Sequence, residues 1–560
     1  MKSQFFEGFA LWRKMRTHSN LMEALRIRII VSCIFGVMIF ICISYRLADL
    51  MVFKENTSVK VVTNQNEVMR KADIADRNGS LLATSITTAS CYADPSVVID
   101  INEASEKLSK VRELPDAGTI RQRLGDKSKH FVWIARHVTP QTKEKIMDLG
   151  IPGINFQKDY KRIYIHGNLF SHIIGCSDVD GTGVSGLEKK FNDQLIISDD
   201  PEKKLILSLD LRIQSIIHEE LQKSIHKFKA VGGNAILMSN SGEIVAIVSL
   251  PDFDPNDVAK TTSINMFNRN TLGVFEPGST FKILNVAIAL DSGAARLDSM
   301  FDATNPIKLG RHTISDFRGK NRTLSLAEAF VFSSNIAAVK IARIFGLNTQ
   351  KKYMKLFGVT EKVQLEIPEV GDPIIPGQWS EATATTVSYG YGVSVAPIQL
   401  LSIIASIAND GIRVRPTLLR NGALPTDERV VSKQTSAIVR ELMRAVICYG
   451  TGRKAGIDGI EIIGKTGTSY KIQGRSYGNK ENRSRITTFV GGFPKDKPKY
   501  FLIVMLDDPK PIDGTYGYAT AGWNAAPLAH DIFERIIPIL DDGIRPQESP
   551  LQVTRYINLN

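Results

Sequence analysis

Cysteine is scarce in this 560-residue chain, five in all. Cys33 and Cys42 lie inside an apolar run near the N-terminus, and Cys91, Cys176 and Cys448 are scattered beyond it. An odd number with no CxxC pair does not build a disulfide framework, so isolated half-buried thiols are expected. The chain also has no HExxH and no Cys/His cluster at ligand spacing, which leaves a metal site or other cofactor without support. His166 and His172 in HGNLFSH therefore read as structural. No Arg-rich run with interleaved aromatics and no nucleic-acid module accompanies the net charge of +12, so nucleic acid is not the expected partner. The absence of a G-x-S-x-G elbow makes a Ser-His-Asp hydrolase remote. Repeats and low-complexity stretches are missing too, and 43% hydrophobic with 23% charged residues is the composition of a folded protein.

One long stretch lacks charge altogether. Residues 29–45, IIVSCIFGVMIFICISY, are bracketed by Arg28 and Arg46. They are at the short end for a membrane span, which flanking arginines extend by snorkelling. A cleaved signal peptide fits less well, because no small-x-small site follows at Arg46-Leu47-Ala48-Asp49. The preceding segment carries Lys2, Arg13, Lys14, Arg16, Arg26 and Arg28 against Glu7 and Glu23, which keeps it cytoplasmic and sends the rest across the membrane. The expected layout is a basic tail (1–28), a single transmembrane helix (29–46), a mixed α/β domain (47–203), a larger domain (204–545) and a C-terminal tail (546–560). A chain of this length does divide into several folded units.

Within 47–203, KVVTNQ and ADIADRNGSLLATS read as strands, with Asn78-Gly79 as a turn. FVWIARHVTPQTKEKIMDL reads as a strand followed by a helix starting near Thr139-Pro140. This part offers no nucleophile, base or ligand set and reads as a spacer. From 204 onward, LILSLDLRIQSIIHEELQKSIHKF is strand then amphipathic helix, and NAILMSNSGEIVAIVSLP is a hairpin around Asn240-Ser241-Gly242-Glu243. IEIIGKTGTSY, RITTFVGGFP and YFLIVMLDDP are three late strands. Strands at both ends with a helical block between them predict an α+β fold: one five-stranded, mainly antiparallel sheet covered by helices, APLAHDIFERIIPIL among them.

Ser-x-x-Lys occurs as EPGSTFK (276–282) and as Ser224 to Lys227 in SIHK. The second lies within a helix with no turn ahead of it, and Ser224 reads as a solvated-face residue. The first follows Pro277-Gly278 and opens an apolar helix ending near Gly293, which places Ser279 at the first turn of a buried helix. The helix dipole contributes only about 0.3–2 kcal/mol there, so a serine nucleophile needs a base. Lys282 lies one turn on along the same face and can be that base only if its pKa is depressed; crowding by Lys465 is the expected cause. Taken alone, the heptapeptide reads better as a capping serine with a snorkelling lysine.

Two further segments add chemistry. Ser333-Ser334-Asn335 interrupts apolar helical runs, although SIN at 263–265 shows that the tripeptide is common. Lys465-Thr466-Gly467-Thr468 lies on a strand, where Gly467 permits close backbone approach and the lysine and hydroxyls can hold a carboxylate. In the order SxxK, SxN, KTG, with intervals of 51 and 130 residues (282 to 333, 335 to 465), the set is that of penicillin-recognising serine enzymes.

The chain accordingly resembles the class B penicillin-binding proteins, the peptidoglycan D,D-transpeptidases, over nearly its whole length. ADIADRNGSLLATS, KRIYIHGNLFSHIIG and GVSGLEKKF resemble the signatures of their pedestal domain. LPDFDPND, SYGYGVSVAPIQL and FVGGFPKDKPKY resemble segments around the three catalytic motifs. Asn335 closing the second motif and NRN at 268–270 favour the division-specific, FtsI-type branch. Ile165 and Ala396 depart from the usual Pro and Thr, outside the catalytic motifs. The resemblance implies a single membrane helix, an elongated non-catalytic pedestal and a transpeptidase domain.

It also implies roles. Ser279 attacks the D-Ala-D-Ala carbonyl of a stem peptide, neutral Lys282 takes its proton, and Ser333 with Lys465 passes a proton to the leaving D-alanine. Asn335, Thr466, Gly467 and Thr468 bind substrate, and the N–H groups of Ser279 and Thr468 form the oxyanion hole. Implied partners are peptidoglycan stem peptides, β-lactam antibiotics acylating Ser279, a SEDS-family glycan polymerase and other division proteins. The implied location is the inner membrane at the septum, with the catalytic domain periplasmic. Alternatives are an elongation-type transpeptidase, a D,D-carboxypeptidase or β-lactamase that directs water to the acyl-enzyme, and a non-enzymatic division scaffold.

Overall fold

The computed structural model describes residues 30–45, 70–197, 202–310, 312–422, 426–471, 483–540 and 551–558. The chain forms two units, Met1–Glu67 and Val68–Asn560. In the first, residues 30–45 are helical and their large apolar side chains are exposed, Phe40 at 72%. Among the described residues no helix is long and apolar enough to cross a membrane. The strand expected at KVVTNQ lies outside the described residues.

The second unit begins with a five-stranded sheet. Strand β1 (Asp73–Ala75) turns through Asn78-Gly79 into β2 (Leu81–Ala93). Asp76 closes that turn by accepting from the N–H groups of Asn78 and Ser80 at 2.9 and 2.8 Å, and Gly79 takes φ +87°, a conformation only glycine adopts freely. β2 pairs antiparallel with β3 (Val132–Val138) and with β4 (Ile154–Tyr164). The helix after β3 is Pro140–Asp148, capped by the Thr139 side chain with Pro at its first turn, as the sequence predicts. β5 (Lys204–Ile206) returns parallel to β1, so the chain re-enters this sheet before leaving for the larger domain.

The interior of the small sheet holds charge. Glu188 is fully buried and accepts from Lys71 at 2.9 Å and Arg162 at 2.6 Å. Burial pushes its carboxyl up, but the two cations outweigh that and hold it below its ordinary value. At its base the small domain is fastened to the large one. Asn78 donates to Asp210 at 3.0 Å, the Leu211 N–H donates to Asp76 at 3.1 Å, and Arg77 pairs with Glu243 at 2.5 Å.

The large domain is built on β6 (Gly232–Ser239), β7 (Ile244–Leu250), the short strands β8 (Met300–Asp302), β9 (Ile307–Leu309), β10 (His312–Ile314) and β11 (Thr323–Ser325), of which β9 pairs with β10 and β8 with β11, and late strands β12 (Ile463–Tyr470), β13 (Arg485–Phe493) and β14 (Tyr500–Asp507). The main sheet runs β12-β13-β14-β6-β7, every neighbour antiparallel. The β14–β6 pairing, with Ile503 opposite Ile236, joins the early and late strands into one sheet, as expected. Its strands are buried on both faces, so helices must cover both sides.

Helices Leu211–Phe228 and Ala525–Leu540 pack one face through Ile213, Ile217, Leu221, Ile532 and Phe533. On the other lie Lys282–Asp291, Pro397–Ala408 and Lys433–Tyr449. The reading of Ser224 as a solvated residue is corrected here. Ile213, Ile217, Leu221, Ser224 and Phe228 recur at helical spacing on the inward stripe, so Ser224 is buried while Lys227 is exposed. Residues 551–558 dock on the same domain: Val553 is buried, and Tyr556 O accepts from the Ser325 hydroxyl at 2.6 Å.

Candidate active site

Three chain segments converge at the β12 edge. The first is the turn that carries Ser279. Gly278–Phe281 is a 3₁₀ turn that runs into the helix Lys282–Asp291. Gly278 has φ +55°, and a side chain there would meet Thr468 O at 2.9 Å. Gly390 lies against the same turn: its φ is +89° and a Cβ would come within 1.9 Å of Gly278 O. Gly467 completes the packing, since its Cβ would stand 2.8 Å from Thr280 Cγ2 and 3.1 Å from Pro277 O. The glycine of KTG is thus a packing requirement that seats the Ser279 turn on the strand.

Ser279 is half-buried, as are Ser333, Asn335 and Thr468. Behind them Lys282 and Lys465 are 2% and 0% exposed. Lys282 Nζ lies 3.2 Å from Ser279 Oγ, 3.2 Å from Ser333 Oγ, 2.6 Å from Ser333 O and 2.6 Å from Asn335 Oδ1. Lys465 Nζ reaches Ser333 Oγ at 2.9 Å and Thr466 O at 3.2 Å. One unbroken line therefore runs Ser279–Lys282–Ser333–Lys465. Ser333 holds φ +61°, a conformation costly for a non-glycine residue and concentrated at functional sites.

Burial, and after it the charge of Lys465, drives the Lys282 pKa well below its ordinary value, with Asp316 acting in the opposite direction. The expectation had named Lys465 as the cause; desolvation is the larger one. Burial also brings Lys465 down to about 7. A neutral lysine has two N–H groups and one lone pair. The two closest neighbours of Lys282, Ser333 O and Asn335 Oδ1, can only accept, so they take the N–H groups and leave the lone pair to the serine hydroxyls. The amide orientation of Asn335 is fixed independently, because its Nδ2 donates to Ser315 O at 2.9 Å. This geometry leaves the Lys282 lone pair facing the hydroxyls of Ser279 and Ser333.

Asp316, which sequence reasoning missed, holds the second motif in place. It accepts from Ser334 Oγ at 2.6 Å, Asn335 N at 2.5 Å and Ile336 N at 3.0 Å, capping the long helix Asn335–Leu356 together with Ser334. No local pattern marks it, since it sits in the β10–β11 loop and acts only through the fold. On the strand side, Thr466 Oγ1 shares a hydrogen bond with Thr451 at 2.5 Å, and Thr468 Oγ1 accepts from Ala521 N at 3.2 Å. Ser224 and Lys227 belong to the far helix and take no part. His172 Nε2 is 2.7 Å from Asn265 O and His166 Nε2 is 3.1 Å from Leu81 O. Among the described residues no group of His, Cys, Asp and Glu could hold a metal ion.

Comparison with known proteins matches these parts. The penicillin binding protein transpeptidase domain model matches residues 233–534, and the penicillin-binding protein dimerisation domain model matches residues 69–202. The probable peptidoglycan D,D-transpeptidase FtsI of Caulobacter vibrioides is 34% identical over 491 residues, covering 84% of this chain and 81% of that protein. Peptidoglycan D,D-transpeptidase FtsI of Escherichia coli K12 is 31% identical over 472 residues, covering 78% and 79%. Penicillin binding protein 3 of Mycobacterium tuberculosis, solved in complex with aztreonam, superposes with a TM-score of 0.67 at 24% identity, over 87% of this chain and 98% of that one.

Proposed function

From the premise that this chain belongs to the penicillin-binding protein transpeptidase family and is a serine-type peptidoglycan D,D-transpeptidase, we propose that it cross-links septal stem peptides through an acyl-enzyme on Ser279. Ser279 Oγ attacks the carbonyl between the last two D-alanines, and its proton passes to neutral Lys282. The C–N bond breaks, Ser333 delivers a proton to the departing D-alanine with help from Lys465, and an amine of a second stem peptide then displaces Ser279. The single observation that carries this reading is the buried Lys282 amine, 3.2 Å from both Ser279 Oγ and Ser333 Oγ, with its pKa pushed down.

The N–H groups of Ser279 and Thr468 are assigned to the oxyanion hole, where losing one donor costs about 2.7–4 kcal/mol. A Cβ on Gly278 would stand 2.9 Å from Thr468 O, so the turn carrying Ser279 packs against the strand carrying Thr468, which supports that. Thr466, Gly467 and Thr468 are assigned to the terminal carboxylate of the donor. Asn335 keeps Lys282 oriented, and its Nδ2 is the group that would turn to a substrate carbonyl.

β-Lactams, which the Mycobacterium tuberculosis relative binds in its aztreonam complex, are proposed to acylate Ser279. The uncharged, exposed helix at 30–45 supports a single membrane anchor, with the catalytic domain outside the cytoplasm. A SEDS-family polymerase and other division proteins are the partners this assignment calls for. Labelling with a fluorescent penicillin tests the nucleophile: wild type is expected to label and Ser279→Ala not, and equal labelling of both would sink the assignment.

A further inference from the structure

Ser333 hangs from a very short helix. Leu326–Val331 has six residues, too few to persist unless its ends are held. At the far end the Ser333 N–H donates to Phe330 O at 3.2 Å and the Ser334 N–H to Ala329 O at 2.9 Å, with Ser333 in the left-handed turn that closes a helix. At the start the Ser325 hydroxyl accepts from Glu328 N at 3.1 Å, and the Glu328 carboxylate accepts from Ser325 N at 2.9 Å. Ser325 and Glu328 are both buried. The position of Ser333 therefore depends on how firmly that start is held.

Segment 551–558 grips it. Tyr556 O accepts from Ser325 Oγ at 2.6 Å, and the Asn558 N–H donates to Glu328 Oε1 at 2.9 Å. Arg322 closes the same carboxylate at 2.7 and 3.0 Å. Val553 and Ile557 are buried in the core beneath. The segment also reaches the helix Lys433–Tyr449, where Gln552 N donates to Glu441 Oε2 at 3.1 Å. That helix packs on β12, the strand of Lys465. The two helices meet again past their C-terminal ends, where a Cβ on Gly450 would stand 2.6 Å from Val331 O. Segment 551–558 thus ties the helix that ends at Ser333 to the helix that backs Lys465. Ser279 and Lys282 ride on a third element, the turn and helix over 278–291.

We propose that segment 551–558 is a positioning element for the leaving-group step: by joining these two helices it holds Ser333 Oγ at 2.9 Å from Lys465 Nζ. The proposal rests on the proton-delivery role assigned to Ser333 and Lys465. With the segment undocked, Ser333 Oγ drifts from Lys465 and protonation of the departing group slows. Ser333 O also accepts from Lys282, so removal of the Ser279 proton slows too, but by the same factor whatever group departs.

The test uses the full chain and two donors, N-benzoyl-D-alanyl glycolate and its thioglycolate counterpart, which share an acyl group and a carboxylate. In both, Ser279 Oγ bonds to the carbonyl carbon and its proton passes to Lys282. The breaking C–O bond needs a proton delivered through Ser333 to the alkoxide, whereas the C–S bond releases a thiolate that is stable as an anion. The readout is the ratio of ester to thioester acylation rate constants. In Val553→Asp/Ile557→Asp, where carboxylates cannot stay in apolar seats, the ratio is expected to fall about tenfold, a fraction of what a positioned general acid contributes. The softer Val553→Ala/Ile557→Ala moves it the same way by less. Leu221→Ala, which destabilises the opposite face of the sheet, keeps the wild-type ratio. Adding the two aspartates to Lys465→Met leaves the ratio where Lys465→Met alone puts it, because both act through one contact. An unchanged ratio in both segment variants, a matching fall in Leu221→Ala, or additive losses with Lys465→Met overturns the positioning role. A wild-type ratio in Lys465→Met would overturn the proton-delivery reading itself, and the positioning role with it.

Discussion

In the small domain Lys71 and Arg162 meet Glu188 in the interior, whereas in the cleft Lys282 and Lys465 are buried with a serine hydroxyl between them. Among the described residues neither cleft lysine forms an ion pair. The first cluster is compensated: Glu188 stays ionised because two cations outweigh its desolvation. The second is not, and burial drives both lysines toward the neutral amine. Desolvation is the same in kind at both sites, and the partner decides which protonation state survives. A compensated cluster can only hold structure together, while an uncompensated one can move a proton.

The largest expected effect separates the two outright. Lys282→Ala should lower the rate of penicillin acylation by about 10²–10⁴-fold, the range for a lost general base. Lys282→Arg should fare no better, because a guanidinium stays protonated. Circular dichroism would show both variants folded, and near-wild-type acylation by either would break the assignment. Glu188→Ala should do the reverse. Removing one partner leaves two buried cations exposed to each other, at a cost of about 3–5 kcal/mol. The denaturant midpoint drops, while the acylation rate of the molecules still folded stays at wild type.

pH sharpens the contrast: stability rises with pH at both sites, but in different windows, the acid range for Glu188 and the alkaline range for Lys465. Glu188 has a depressed folded pKa, so its contribution is present above the unfolded value and is lost as pH falls through the folded one. Lys465 is lowered from 10.5 to about 7; the unfolded chain binds more protons across that window, so stability rises with pH between those values. Denaturant midpoints measured over that window should climb for wild type and less steeply for Lys465→Met, which keeps the contribution of Lys282. On the proposed mechanism acylation rises with pH as Lys282 loses its proton, then declines above about 7 as Lys465 loses its own.

Asp316→Asn is a smaller perturbation of the same site. It removes the charge that raises the Lys282 pKa and weakens the acceptor for Ser334, Asn335 N and Ile336 N. The rising limb of the acylation profile should move to lower pH, and the maximal rate should fall by about tenfold as the Ser333 loop loosens, the loss of one charge-assisted hydrogen bond. A fall in rate with no shift of the limb would reduce Asp316 to a purely structural cap.

Much of this was legible in the sequence because it is encoded in spacing and pattern. The hairpin around Gly242, the five-stranded sheet, the buried nucleophile helix and the three motifs are local strings whose periods or turn residues announce them. Asp316 was not legible, because its partners lie 18 to 20 residues away and no local rule connects a loop aspartate to a helix start. The orientation of Asn335 and the weight of burial over the charge of Lys465 are likewise properties of packing. Ser224 was misread for a related reason. Its neighbours Glu220 and Lys227 looked polar, but the stripe from Ile213 to Phe228 points it inward.

The smallest expected effect belongs to that second Ser-x-x-Lys. Ser224 and Lys227 have the same spacing as Ser279 and Lys282, yet the chain turns one inward and the other outward. Lys227 is exposed and lies beside the Phe228 ring, 5.6 Å from its centroid, and among the described residues no hydroxyl is held against its amine. Lys227→Ala should leave acylation within error. Ser224→Ala should change stability by no more than about 1 kcal/mol, the scale of one net hydrogen bond. A loss of acylation in either would mean that helical spacing alone creates the chemistry. The intact rate would locate it in what surrounds Lys282: a serine carbonyl and an amide oxygen that take its protons, and an interior that removes its charge.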